Sequence, residues 1–273
     1  MKPQLMGVVN VTPDSFSDGG LYLDADAAIR HGEELARDGA EILDIGGEST
    51  RPGAEAVDAG EERQRTEPVI AALAAAGHRV SIDTSKLSVA EAALDAGAAI
   101  VNDVTALRAD PEIGGLCAER GAGLVLMHMQ GDPRTMQRDP FYGDVVDEVK
   151  AFLAERLAVA TAAGVAEEEI WLDPGIGFGK TLDHNLELLR RLGELRELGR
   201  PLVVGTSRKS FIGKIDGSQT GERLGGTIAS SIIAAAEGAD VLRVHDVAEM
   251  AQARTVLAAI LGSASQLSDS PAH

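Results

Sequence analysis

A chain of 273 residues suits either two average domains or one α/β barrel. With 44% hydrophobic and 25% charged residues it is an ordinary globular composition, which excludes a disordered or fibrous chain. A formal charge of -18 makes nucleic acid and anionic membrane poor partners, so an anionic ligand would need a local basic patch.

Eight short apolar runs of β type follow one another: Leu5–Asn10, Glu41–Gly47, Val80–Ser85, Ile100–Thr105, Gly123–Met129, Ile170–Ile176, Pro201–Ser207 and Val241–Asp246. Their starts lie about 34 residues apart on average, the size of a strand plus a crossover helix. Runs such as Leu124-Val125-Leu126-Met127 do not alternate with polar residues, as expected of parallel strands covered on both faces. Between them come Ala-rich helical stretches, among them Asp24–Arg37, Ser88–Ala96, Asp144–Ala163 and Glu222–Glu237. Glycines 39, 77, 97, 164 and 238 stand where helix ends favour the left-handed conformation. Eight βα units close most economically into a single-domain (β/α)8 TIM barrel over residues 1–261, with a doubly wound open sheet as the alternative. Aromatic residues are only 3%, so aliphatic layers must fill the interior. Residues 262–273 are Ser-rich and aperiodic, and are expected to be a mobile tail.

The single cysteine, Cys117, excludes an internal disulfide and suits a reducing compartment. The N-terminus lacks a secretory apolar core, and nowhere do 18 apolar residues run unbroken. A cytoplasmic protein is expected.

Barrel chemistry sits at the C-terminal ends of the strands. Those ends carry Asn10, Glu48–Gly53, Asp83-Thr84-Ser85, Asn102-Asp103, His128, Asp173-Pro174-Gly175, Ser207–Ser210 and Arg243–Asp246. One polar residue at a strand end is usually a cap or turn; eight in succession point to a site. Arg243 and His245 are two apart and share a face, while Asp83, Asn102 and Asp173 converge on one mouth if the barrel closes. Gly175-Ile176-Gly177-Phe178-Gly179-Lys180-Thr181 ends like a phosphate-binding Walker loop, but Pro174 replaces the first required glycine. The glycines fit either a backbone brought close to a flat ligand, with Phe178 to pack on it, or a plain strand-to-helix turn. The six histidines show no zinc spacing; a magnesium ion held by oxygens and substrate phosphates would leave little trace.

Five segments together resemble the dihydropteroate synthase family, the sulfonamide-inhibited pterin-binding enzymes: Met6–Gly20, Asp44–Gly53, Asp173–Lys180, Ser207–Phe211 and Arg243–Val247. They occur in the family's order, and the resemblance runs from Leu5 to about residue 260, nearly the whole chain. It implies a transferase that joins 6-hydroxymethyl-7,8-dihydropterin diphosphate to 4-aminobenzoate, giving 7,8-dihydropteroate and diphosphate by a dissociative step, with Mg2+. By the same resemblance Asp83, Asn102, Asp173 and Lys209 bind the pterin, lined by Met127, Phe178 and Gly205. Asn10, Arg243 and His245 handle the diphosphate, with Asn10 also the Mg2+ ligand. Thr50, Arg51, Pro52 and Ser210 form the 4-aminobenzoate site, and Asp18 helps organise the closed state. Lys209, Arg243, His245 and Asp18 are thus the expected catalytic residues. Loops 11–22 and 48–60, rich in Gly and Pro, would close over bound pterin, and the assembly would be a homodimer. A related corrinoid methyltransferase, or a catalytically silent pterin-binding paralogue, are the competing readings.

Overall fold

The structure is a computed structural model and describes residues 2–12, 20–49, 56–131 and 135–262, with backbone alone for 20–24. Eight strands form one parallel sheet: β1 (Gln4–Asn10), β2 (Ile42–Gly46), β3 (Val80–Asp83), β4 (Ile100–Asp103), β5 (Gly123–Met127), β6 (Ile170–Asp173), β7 (Val203–Val204) and β8 (Val241–Val244). The order is β6-β5-β4-β3-β2-β1-β8-β7. A bridge between Leu172 and Leu202 brings β6 against β7 and closes the barrel. The expected (β/α)8 barrel is therefore formed, and the open sheet is not.

Around it lie α1 (Gly20–Arg37), α2 (Ala59–Ala75), α3 (Leu87–Asp95), α4 (Glu112–Arg120), α5 (Val145–Ala162), α6 (Leu182–Arg190), α7 (Ser210–Asp216), α8 (Leu224–Ala236) and α9 (Val247–Ile260). The five glycines expected at helix ends all have positive φ, between 87° and 108°. Two boundaries differ from expectation. Helix α1 begins at Gly20, before the expected Asp24, and α2 begins at Ala59 because Asp58 Oδ1 caps Gly60 N and Glu61 N at 2.8 and 3.1 Å. Of the two expected loops, residues 13–19 and 50–55 lie outside the described residues. Strand β7 is also shorter than Pro201–Ser207, because Pro201 has no N–H and Leu202 N donates to the Asp240 carboxylate at 2.9 Å.

Strand side chains alternate between two environments. Leu5, Val9, Leu43, Ile45, Val101, Leu124 and Leu126 face the helices in one large core. Met6, Ile42, Ile100, Val125, Trp171, Val203 and Val241 fill a second layer inside the barrel. Two residues farther along β2, β4, β6 and β8 the inward positions are Asp44, Asn102, Asp173 and Arg243. The same alternation that packs the lower barrel with aliphatics thus delivers a polar upper layer. The expected tail, from residue 263 onward, lies outside the described residues, and no helix among them is long and apolar enough to cross a membrane.

Candidate active site

The upper layer is tied together by Arg243. Its Nε donates to Asp44 Oδ2 at 2.6 Å and its Nη2 to Asp83 Oδ2 at 2.7 Å, and Asn102 Nδ2 donates to Asp44 Oδ2 at 3.1 Å. Asp44 is fully buried and its Oδ1 has no hydrogen-bond partner. Two carboxylates therefore share one guanidinium. Burial raises the Asp83 pKa most, Arg243 opposes it, and the Asp44 charge raises it further. Of the residues expected at this mouth, the structure brings Asp83, Asn102 and Arg243 into one bonded group. Asp44 was not assigned a role from the sequence, although the two-residue period from Ile42 places it on the inner face.

The loop after β6 forms one wall. Asp173 is buried, and its Oδ1 accepts Gly175 N at 2.7 Å. Burial raises its pKa, while Lys209, Arg243 and Lys180 lower it. Gly175 has φ +66°, and a Cβ there would overlap the His128 carbonyl oxygen. At Gly177, φ +84°, a Cβ would sit 2.9 Å from Lys209 Cδ. These glycines therefore let the loop backbone approach the protein's own His128 carbonyl and Lys209 side chain. Phe178 packs against Val104, Met127, Met129 and Met136, with Lys209 Nζ 4.4 Å from its ring centroid. Lys209 Nζ also donates to the Ile176 carbonyl. Burial brings the Lys209 pKa down to about 8, with Asp173 and Asp83 opposing and Arg243 assisting that fall.

Strands β7 and β8 supply the rest. Ser207 Oγ lies 2.9 Å from His245 Nδ1 and accepts the His245 backbone N–H at 3.3 Å. The Ser207 hydroxyl thus holds both the backbone and the ring of His245. Gly205 leaves room beside Arg243, whose Cβ is 3.7 Å from where a Gly205 Cβ would stand. Arg208, at φ 56°, turns the chain outward and pairs with Asp246, while Ser210 opens α7. Asn10 ends β1, with its Oδ1 3.8 Å from the corresponding point on Gly46. Asp18, Thr50, Arg51 and Pro52 lie outside the described residues.

A family model for pterin binding enzymes matches residues 6–245. The chain is 49% identical over 265 residues to the dihydropteroate synthase of Neisseria meningitidis serogroup B, covering 95% of this chain and 93% of that one. The chain belongs to the dihydropteroate synthase family. Among solved structures, the Xanthomonas albilineans dihydropteroate synthase with 4-aminobenzoic acid superposes with a TM-score of 0.90 at 48% identity, covering 95% of this chain and 93% of that chain. The same enzyme in complex with 7,8-dihydropteroate gives 0.86 at 44%, covering 95% and 94%. The chain is accordingly an enzyme of the transferase class, a dihydropteroate synthase of folate biosynthesis.

The mouth gathers basic side chains despite the formal charge of -18 over the whole chain. Lys209 lies near Asp173, Asp83 and Arg243, close enough for their charges to affect its ionisation.

Proposed function

We propose that this mouth binds the dihydropterin beside Phe178 and Met127 and performs the condensation without a covalent protein intermediate. The observation that supports the reading most is the convergence of the buried Asp173 with Lys209 and Arg243 at the top of a closed barrel. The aminopyrimidinone edge of a pterin offers adjacent N–H donors. Asp173 Oδ2 and Asp83 are acceptors for them, with Asn102 alongside. Protonated Lys209 donates to the ring acceptors. Gly205 is assigned to the lining of the pterin site.

The bond between the pterin methylene carbon and a diphosphate oxygen breaks first, and its electron pair leaves with the diphosphate. Arg243, held by Asp44 and Asp83, and His245 stabilise that growing charge. The dihydropterin ring stabilises the cationic methylene, and the 4-aminobenzoate amine then adds and loses a proton. Ser210, with Thr50, Arg51 and Pro52, is assigned to the 4-aminobenzoate carboxylate. Asp18 is assigned to the closed state.

Magnesium fits only as an ion carried largely by the substrate. Among the described residues no group of three or more His, Cys, Asp or Glu could hold a metal, and Asn10 offers one amide oxygen. Bound to Asn10 and the phosphates, Mg2+ would supply positive charge to the leaving group.

A second copy of the chain is assigned to the apolar groove between α6, α7 and α8, lined by Leu189, Phe211, Ile215 and Ile233. Ile215 and Ile233 are exposed there at 59% and 52%. Ile233→Glu should convert the dimer to a monomer in sedimentation; a wild-type monomer would refute the assignment. A single free cysteine, Cys117, suits a reducing, cytoplasmic location.

The activity test gives purified protein the dihydropterin diphosphate, Mg2+ and 4-aminobenzoate and follows diphosphate. Release that needs the amine and is blocked by a sulfonamide is expected. No release at any enzyme concentration would sink the reading, and it would favour a silent pterin binder.

A further inference from the structure

Lys180 is only 1% exposed and is one of the largest fully buried side chains of the chain. A buried ammonium needs an acceptor for each of its three protons. Lys180 Nζ has three such partners: His128 Nδ1 at 2.9 Å, Gly175 O at 3.0 Å and Phe178 O at 3.0 Å. Burial lowers its pKa, the Lys209 charge adds to that, and Asp173 opposes it.

The partners place this cation between the end of β5 and the loop after β6. His128 N donates to Asp173 O at 2.9 Å, so His128 is bonded to β6 at its backbone and to Lys180 at its ring. Burial and the neighbouring Lys180 hold the imidazole neutral. Other side chains pin the remaining peptide groups of the loop. Gln137 Nε2 donates to Gly177 O at 2.6 Å, Tyr142 Oη to Gly179 O at 2.8 Å, and Gly177 N donates to Asn185 Oδ1 at 2.6 Å. Among the described residues, Lys180 alone grips the loop at two carbonyls. Those two carbonyls flank Ile176 and Gly177, the segment whose Ile176 carbonyl receives Lys209 and which leads into Phe178.

We infer that Lys180 is a positioning residue of the pterin slot: through His128 and the carbonyls of Gly175 and Phe178 it sets the loop curvature that aligns Phe178 and Lys209. The inference rests on the functional reading above. It gives the terminal lysine of the glycine-rich segment a task unrelated to phosphate, since its ammonium faces into the protein.

The test measures dihydropterin diphosphate binding by calorimetry in the absence of 4-aminobenzoate, together with both KM values. Lys180→Met keeps the chain length and removes all three hydrogen bonds. It should weaken pterin binding and raise the pterin KM at least tenfold, while the 4-aminobenzoate KM at saturating pterin changes less than about twofold. Equal losses for both substrates, or unchanged pterin binding, would overturn the inference. If Lys180→Met does not fold, the His128 pair decides. His128→Asn keeps an acceptor at the Nδ1 position and should retain pterin affinity, whereas His128→Leu should lose about tenfold. Equal affinities in those two variants would overturn it. Absence of binding by the wild-type protein would overturn the functional reading and this inference together; normal wild-type binding with an unaffected Lys180→Met overturns this inference alone.

Discussion

Asp44 and Lys209 carry the clearest consequences of placing charge inside the barrel. Asp44→Asn removes one of the two carboxylates that share Arg243. The fold should lose about 2 kcal/mol, since Arg243 keeps Asp83 and only part of a buried pair is broken. The Asp83 pKa should fall, because a like charge beside it is gone; carboxyl carbon NMR shifts followed against pH check this, and an unchanged Asp83 midpoint would contradict it. Lys209 has a lowered pKa of about 8 in the fold, against about 10.4 in an unfolded chain. Between those values the unfolded state binds more protons, so stability from this group is lowest below pH 8 and rises toward pH 10. Pterin affinity should run the opposite way, since protonated Lys209 donates a charge-assisted hydrogen bond stronger than the neutral amine's: the pterin KM should climb as pH passes about 8. In Lys209→Met that climb should vanish, along with most of the affinity. Asp83, Asn102, Asp173, Lys209, Arg243 and His245 could be named from strand-end position and motif. Asp44 could not, because its importance lies in who shares Arg243, a contact 199 residues apart in sequence.

At the scale of elements, strands and helices were readable because each βα unit announces itself locally through an apolar run, an Ala-rich amphipathic stretch and a terminal glycine. What local pattern misses is competition for backbone partners, as where the Asp240 carboxylate takes Leu202 N and shortens β7. The glycines show the same division. Gly77 lies at φ +87° with nothing within 4 Å of where a Cβ would stand, whereas Gly175 lies at φ +66° against the His128 carbonyl. Gly77→Ala should cost about 1 kcal/mol of backbone strain and leave turnover intact. Gly175→Ala must push the loop from β5 and should abolish detectable pterin binding even where the protein folds. Thermal melts paired with calorimetry separate the two; similar binding by both variants would refute the close-approach argument.

Across the whole molecule, the two ends of the barrel have different duties. At the lower end Arg254 of α9, 5% exposed, donates to Pro3 O at 2.7 Å, Glu41 Oε1 at 2.7 Å and Gly39 O at 3.3 Å. Glu41 Oε2 in turn accepts Leu5 N at 2.7 Å. This clamp ties the last helix to the first strands and lies far from the strand C-termini. Arg254→Met should cost about 3 kcal/mol and lower Tm by several degrees, with kcat and both KM values unchanged; a change in turnover would mean that the two ends are coupled. The number and order of the βα units, the aliphatic filling and the polar strand ends all follow from residue spacing, because alternation along a strand and helical periodicity are local properties. The meeting of β6 with β7, the sharing of Arg243 by Asp44 and Asp83, and the inward turn of Lys180 onto His128 do not. They depend on how strands are staggered once the barrel closes, and that stagger is set by packing between residues far apart in the chain.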